Sequence, residues 1–329
     1  LVFAYAVLTV SAAFVLLLSG GLVTSKGVGM TVPDWPNSYG YNMFLFPLSR
    51  WVGGIFYEHV HRLIASGVGL MTIFLALALW MAEPRKWVRV LGYLAVAAVI
   101  VQGVLGGLRV TMILDELGIF HGMLAQAYIS LLVVIAVATS KAFATGGARW
   151  RWHAPGLMRW ALALTVLVYL QLGLGATMRH EHAGLSIHDF PLAYGQVWPM
   201  VDAEQLAVIN AQRISSGEVP TTIGQITLQM LHRTMAVVLA ALFLVYAWKA
   251  RRAAMGVRLA SRWWLALVVV QIALGAWTVW SGKAADVTTA HVAVGALILF
   301  LGVAQCFLLG VFSPRAAELK RETAKLVHA

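Results

Sequence analysis

The sequence predicts an all-α polytopic membrane protein whose eight transmembrane helices form two parallel four-helix-bundle repeats. Three observations carry that prediction. Of 329 residues, 60% are hydrophobic and only 11% charged, against about a quarter charged in a soluble domain. Eight apolar runs reach the ~20 residues that a membrane crossing takes. Motifs in the first half recur, in order, in the second.

The runs cover residues 2–23, 55–81, 88–110, 117–139, 157–178, 223–248, 259–280 and 287–312. No proline interrupts them. Unpaired backbone cannot face lipid, so helices closing on one another are the expected solution. The first run ends in Gly20-Gly21 and opens a long loop, 26–54; it reads as a span, not as a signal peptide with a small-residue cleavage site. The second run opens on Glu58-His59-Val60-His61-Arg62. The third ends through the small-residue stretch Gln102-Gly103-Val104-Leu105-Gly106-Gly107, and the fourth begins around His121. The fifth ends through Gln171-Leu172-Gly173-Leu174-Gly175-Ala176 into a second long loop. The sixth opens on Gln229-Met230-Leu231-His232-Arg233, and the eighth carries His291 and, deep within it, Cys306. Both small-residue stretches read as close helix packing.

The duplication is explicit. Gly29, Asp34, Pro36, Tyr39 and Gly40 recur 155 residues later as Gly184, Asp189, Pro191, Tyr194 and Gly195. At an offset of about 170, His61-Arg62 meets His232-Arg233, Gln102, Gly106 and Val110 meet Gln271, Gly275 and Val279, and His121 meets His291. The change of offset is a longer loop in the second half, the polar segment 202–220. The expected repeats are residues 1–150 and 151–329, related by an axis along the membrane normal.

The net charge of +11 is an orientation signal. Sixteen of the 24 Lys and Arg residues fall after spans two, four, six and eight, in groups around Arg85, Lys141 to Arg159, Lys249 to Arg262 and Arg315 to Lys325, while 10 of the 13 acids lie toward the other side. The positive-inside rule then puts both termini in the cytoplasm and the long loops outside. This placement argues against nucleic acid as a partner; lipid is the expected surroundings. A single cysteine excludes an intrachain disulfide and a cysteine-based metal site.

His61, His121, His232 and His291 each lie near the outer end of an even-numbered span, two per half at similar depth. Facing imidazoles in a bundle core are a standard way to hold haem iron, and neutral imidazole needs no charge in the membrane. Of the other histidines, His59 points to another helix face and is expected to meet headgroups. His180, His182 and His188 are read as solvated outer-loop residues, with a surface metal site as the weaker alternative, and His153 and His328 carry no signal. Glu58, three residues before His61, shares its helix face and could exchange a proton during an oxidation. Its counterpart is Gln229, which keeps the shape without the titratable group. Arg62 and Arg233 could pair with haem propionates or reach headgroups. Asp34 and Asp189 read as turn residues.

Taken together, Pro33-Asp34-Trp35-Pro36-Asn37-Ser38-Tyr39-Gly40, Glu58-His59-Val60-His61-Arg62, His121-Gly122-Met123-Leu124-Ala125-Gln126, Leu231-His232-Arg233-Thr234 and His291-Val292-Ala293-Val294-Gly295 resemble the haem A synthase family over nearly the whole chain. The resemblance implies oxidation of the C8 methyl of haem O to a formyl group by successive hydroxylations, giving haem A for cytochrome c oxidase. It implies haem O held by His61 and His121 with Glu58 catalytic, and a haem b cofactor ligated by His232 and His291. A haem O synthase and an unidentified electron acceptor are the implied partners, and homo-oligomerisation stays open. Some members carry a cysteine pair in an outer loop; this chain has none, so a mechanism needing that pair cannot operate here. A two-haem bis-histidine electron carrier fits the histidine pattern alone equally well, and a repeat-built transporter, which would show broken helices near mid-membrane, ranks last.

Overall fold

The computed structural model describes residues 1–144 and 154–310. The helices are α1 (Val2–Ser25), α2 (Gly53–Ala82), α3 (Lys86–Thr111), α4 (Glu116–Thr139), the single turn α5 (Lys141–Ala144), α6 (Pro155–His180), α7 (Ala203–Ser215), α8 (Ile223–Ala250), α9 (Met255–Trp280) and α10 (Ala285–Leu308). Eight of them are 24 to 30 residues long and apolar enough to cross a membrane. At 1.5 Å per residue, the shortest already exceeds the ~30 Å hydrocarbon layer. The expected repeat boundary at 150/151, the basic residues Arg149, Arg151, Arg315, Lys320, Arg321 and Lys325, and the histidines His153 and His328 lie outside the described residues.

Helix ends follow local chemistry. α2 stops at Ala82 because Glu83 precedes Pro84, whose ring disfavours a helical neighbour; Glu83 is extended. Pro155 sits at the start of α6, where its missing N–H costs nothing. α8 begins with a capping box between Thr222 and Gln225. α10 ends at Leu308, four residues before the sequence estimate, and the chain turns there through Gly310 at φ 97°.

In the first half, α1 packs on α2 and α4, and α3 packs on α2 and α4. In the second, α6 packs on α8 and α10, and α9 packs on α8 and α10. The same ring of neighbours therefore occurs twice. α1 against α10, α4 against α6 and α4 against α10 join the two groups. This puts α4 and α10 at the centre: 39% and 50% of their most apolar stretches are buried, against 17–28% for the other six. The outer helices turn Leu70, Phe74, Trp80, Leu94 and Ile100 to the surroundings, as lipid-facing helices do.

The central core is filled by Leu75, Leu79, Ile129, Leu132, Ile135, Phe243, Tyr246, Trp264 and Phe307. Three polar contacts cross between helices inside it: Thr72 Oγ1 with Tyr128 Oη at 2.5 Å, Tyr246 Oη to Gln305 at 3.2 Å, and Trp264 Nε1 to the Ile298 carbonyl at 2.8 Å.

The long loops gather at one end of the bundle. There Arg179 at the end of α6 donates to the Gly21 carbonyl at 2.6 Å and to Ser25 Oγ at 2.7 Å on α1. At the opposite end Arg85 donates to the Ala138 carbonyl at 2.9 Å. The segment 202–220, expected as polar loop, contains the amphipathic helix α7, opened by a capping box between Asp202 and Gln205. Its 13 residues are too few and too polar to show as a span.

Candidate functional site

Each of the four histidines lies against a glycine of a neighbouring helix. A Cβ on Gly20 of α1 would sit 2.9 Å from His61 Cε1. One on Gly106 of α3, Gly175 of α6 or Gly275 of α9 would sit 3.2 Å from the Cε1 of His121, His232 or His291 respectively. Any side chain at these positions would push the ring away, so glycine is what lets each imidazole rest on the adjacent backbone. The sequence reading takes the stretches around Gly106 and Gly175 for packing and gives Gly20 and Gly275 no role. The signal was present: Gly20 and Gly175, and Gly106 and Gly275, are repeat partners, as are the histidines they face.

Glutamines hold the same helices in register. Gln102 Nε2 donates to the His121 carbonyl at 2.9 Å, and Gln171 Nε2 donates to the His232 carbonyl at 2.9 Å and lies 3.2 Å from its Nδ1. Gln271 Nε2 is 3.4 Å from His291 Nε2, and turning that amide over would offer the ring the otherwise unpartnered Oε1.

Two observations are compatible with a haem iron at these rings. The Nδ1 atoms of His61, His121 and His291 are buried without a hydrogen-bond partner, and a buried polar atom left so costs about 1–3 kcal/mol; a ring nitrogen lone pair is a metal donor. The His232 and His291 ring centres are 6.5 Å apart. Two metal–nitrogen bonds of ~2 Å, plus about 1 Å from each bonding nitrogen to its ring centre, come to roughly that span.

Glu58 and Gln229 are placed alike, each buried and each holding the loop before it. Glu58 Oε2 accepts the N–H groups of Thr31 and Val32 at 2.7 and 2.9 Å, and its Oε1 accepts Arg62 Nη2 at 2.7 Å. Gln229 Oε1 accepts the Ile187 N–H at 2.7 Å, while its Nε2 donates to the Ile187 and Gly184 carbonyls at 3.1 and 3.3 Å. Arg62 also donates to the carbonyls of Asp34, Val32 and Asn37 at 2.6, 2.8 and 3.1 Å, so its guanidinium is engaged by its own loop. Arg233 does the same more loosely, with Leu192 at 2.9 Å and Ile187 at 3.4 Å.

The loops are built alike. Asp34 accepts the N–H groups of Tyr39 and Gly40, and Asp189 those of Tyr194 and Gly195. In both loops the Tyr and Gly take positive φ, and both X-Pro bonds before them are cis. These two aspartates have the expected turn role. Burial alone would raise the Asp189 carboxyl, but the amides of Gly195 and Tyr194 outweigh it and hold the group below its ordinary value.

Two expectations are corrected. His59 does not face headgroups: it is fully buried, its Nδ1 is 3.1 Å from Ser38 Oγ, and Phe46 and Trp51 pack on its ring at 4.9 and 4.7 Å between centres. Loop 26–52 folds back over that helix face. His180 is not a solvated loop residue: it ends α6, its side chain is 10% exposed, and its Nδ1 is 3.8 Å from Asp115. Asp115 also takes Arg109 at 2.9 Å, which holds its carboxyl below the usual range, and lies 3.7 Å from the exposed His182. His188 pairs with Glu218 at 3.0 Å and with Arg213 at 2.8 Å, tying the loop to the segment after α7.

Fold and site thus define a class: an eight-helix integral membrane protein that carries four imidazoles in two like settings. The chain belongs to the cytochrome oxidase assembly protein family (COX15-CtaA), whose family model matches residues 3–303. It is similar to the "Heme A synthase" of Shouchella clausii, 27% identical over 247 residues covering 73% of this chain and 72% of that one. The same name is carried by relatives from Alkalihalophilus pseudofirmus, 29% identical over 59% of this chain and 65% of its own length, and from Novosphingobium aromaticivorans, 31% identical over 78% and 72%. The matched stretch is about two thirds to three quarters of these relatives' length.

Proposed function

We propose that this chain is a membrane oxidoreductase that converts haem O to haem A, oxidising the C8 methyl group to a formyl group for cytochrome c oxidase. The single observation that carries the reading within the family is the pair Glu58 and Gln229: two like imidazole settings, of which one alone has a carboxyl group beside it. In this reading the two repeats divide the work. His61 and His121 hold the iron of the substrate haem O. His232 and His291 hold a haem b, which when bound supplies a one-electron redox centre. With water as the oxygen source, each hydroxylation gives up two electrons to the electron acceptor and two protons, and in this reading Glu58, one helical turn from His61, takes one of those protons. Arg62 and the Thr31 and Val32 amides hold that carboxyl in position.

Among the described residues, Arg85, Lys86, Arg89, Lys141, Lys249, Arg251 and Arg252 lie at the end opposite the long loops, which supports a cytoplasmic location for that end and an outward-facing haem end.

Glu58→Gln is the direct test, because Gln229 supports a glutamine's ability to hold such a loop. Haem O oxidation should fall by about 100-fold or more, the usual contribution of a proton-transfer group, with haem b content unchanged. Activity within a few-fold of the unmodified protein would remove Glu58 from the reaction. The close match of the two settings also favours a second reading, a two-haem electron carrier. In that case both sites would keep the same haem type after purification, and supplying haem O would change nothing.

A further inference from the structure

Arg62 follows a ligand histidine and is the first candidate for a haem carboxylate, yet its guanidinium is engaged by three loop carbonyls and Glu58. A different cation is open in the first half. Arg109, in the last turn of α3, has an 85% buried side chain and makes one ion pair, Nη2 to Asp115 at 2.9 Å. Its Nε is buried without a partner. Its Nη1 lies against the loop after α1, where a Cβ on Gly29 would come within 3.0 Å of it. Arg109 lies three residues beyond Gly106, the glycine of α3 against which His121 rests, so it shares that face of the helix one turn nearer the loops. At the repeat-related position the second half has Thr278, whose hydroxyl is returned to its own helix at the Leu274 carbonyl. The cation therefore belongs to the first setting only.

A haem carries two propionate groups on one edge, and a carboxylate is the ligand that an arginine with free donors takes in a two-pronged fashion. We propose that Arg109 anchors a propionate of the haem held between His61 and His121, and thereby fixes which methyl group is oxidised. Axial ligation by two imidazoles leaves a haem free to turn about the axis through its iron. In haem O the C8 methyl and one propionate sit on the same pyrrole ring. Holding that propionate against α3 and the Gly29 loop stops the rotation and presents one methyl of several at one place. Arg109 is thus a positioning residue, and the inference rests on the reading of the first half as the haem O site.

The test titrates purified full-length protein in detergent with haem O and with haem O dimethyl ester, following the Soret band. The unmodified protein should bind the free acid about 10- to 100-fold more tightly than the ester, the range expected for a hydrogen bond to a charged group. Arg109→Gln should lose that preference by weakening the acid and leaving the ester within about two-fold. Arg109→Lys, which keeps the charge, should retain most of it. Equal weakening of both forms in Arg109→Gln, or an unchanged preference, would overturn the anchor while leaving haem O as the ligand. An unmodified protein that binds neither form with a two-imidazole spectrum would overturn the haem O reading itself, and the anchor with it.

Discussion

The two halves share a frame and differ in charge. Each has an Asp-based turn with a Tyr and a Gly at positive φ, a buried side chain holding the loop from below, two histidines and two facing glycines. Where the second half is neutral or loosely bonded, the first is ionic: Glu58 for Gln229, Arg109 for Thr278, and an Arg62 that closes four contacts where Arg233 closes two. A buried ionised group costs free energy unless it is paired, and Glu58, Arg62 and Arg109 are all buried. At the matched positions the first half carries three such groups and the second half one, Arg233. Gln229 holds its loop without a charge.

The largest way to break the comparison is to remove ligands one half at a time. His291→Ala should abolish haem b in the second half and leave haem O binding by the first; His121→Ala should do the reverse. Haem content per chain, measured after extraction, checks both, and loss of both haems from either variant would argue against separate sites.

Next is the exchange of Glu58 and Gln229. Gln229→Glu should leave haem b in place and create no second oxidising site, because no arginine closes on residue 229 as Arg62 closes on Glu58. Haem A yield per chain should stay within a factor of about two, against the ~100-fold loss expected of Glu58→Gln.

Third is the clamp itself. The Glu58–Arg62 pair is 4% and 9% exposed. Arg62→Ala leaves a buried carboxylate unpaired and should cost about 3–5 kcal/mol, whereas Arg233→Ala breaks bonds to neutral carbonyls and should cost about 1–2 kcal/mol. Unfolding midpoints in detergent should rank them that way; equal losses would mean that the charge adds nothing to the clamp.

Smaller effects follow for the glycines and for pH. Gly20→Ala places a Cβ 2.9 Å from His61, and Gly175→Ala one 3.2 Å from His232. The first should perturb its site more, read as a larger shift of the Soret band for haem O than for haem b. For Asp189 the folded carboxyl lies below its ordinary value of 3.8. The stability it contributes is complete above that value and is lost as pH falls through the lower folded one. Proteolysis of loop 181–202 should therefore accelerate below about pH 4, and Asp189→Asn should remove the pH dependence.

Much of this was legible in the sequence. The eight helices fall where the apolar runs put them, within a few residues, because length and hydropathy are what a membrane selects. The four histidines were legible from their repeat and depth. Gly106 and Gly175 read as packing, and Gly20 and Gly275 carried no reading, since a sequence shows a small residue without showing what rests on it. The burial of His59 was hidden because loop 26–52 covers a helix face that periodicity alone leaves outward. The clamp of Arg62 was hidden because three of its four partners are backbone carbonyls, which have no sequence signature. Helix α7 was missed because a short polar helix resembles a loop in composition.

The central claim, that one half converts a haem while the other keeps one, is tested most directly by extracting and chromatographing the haems of the purified protein with and without co-expression of a haem O source. The account predicts haem b at about one per chain in both preparations, with haem O and haem A appearing only when the source is present. Two haem b per chain in both preparations, with no haem A, would contradict it.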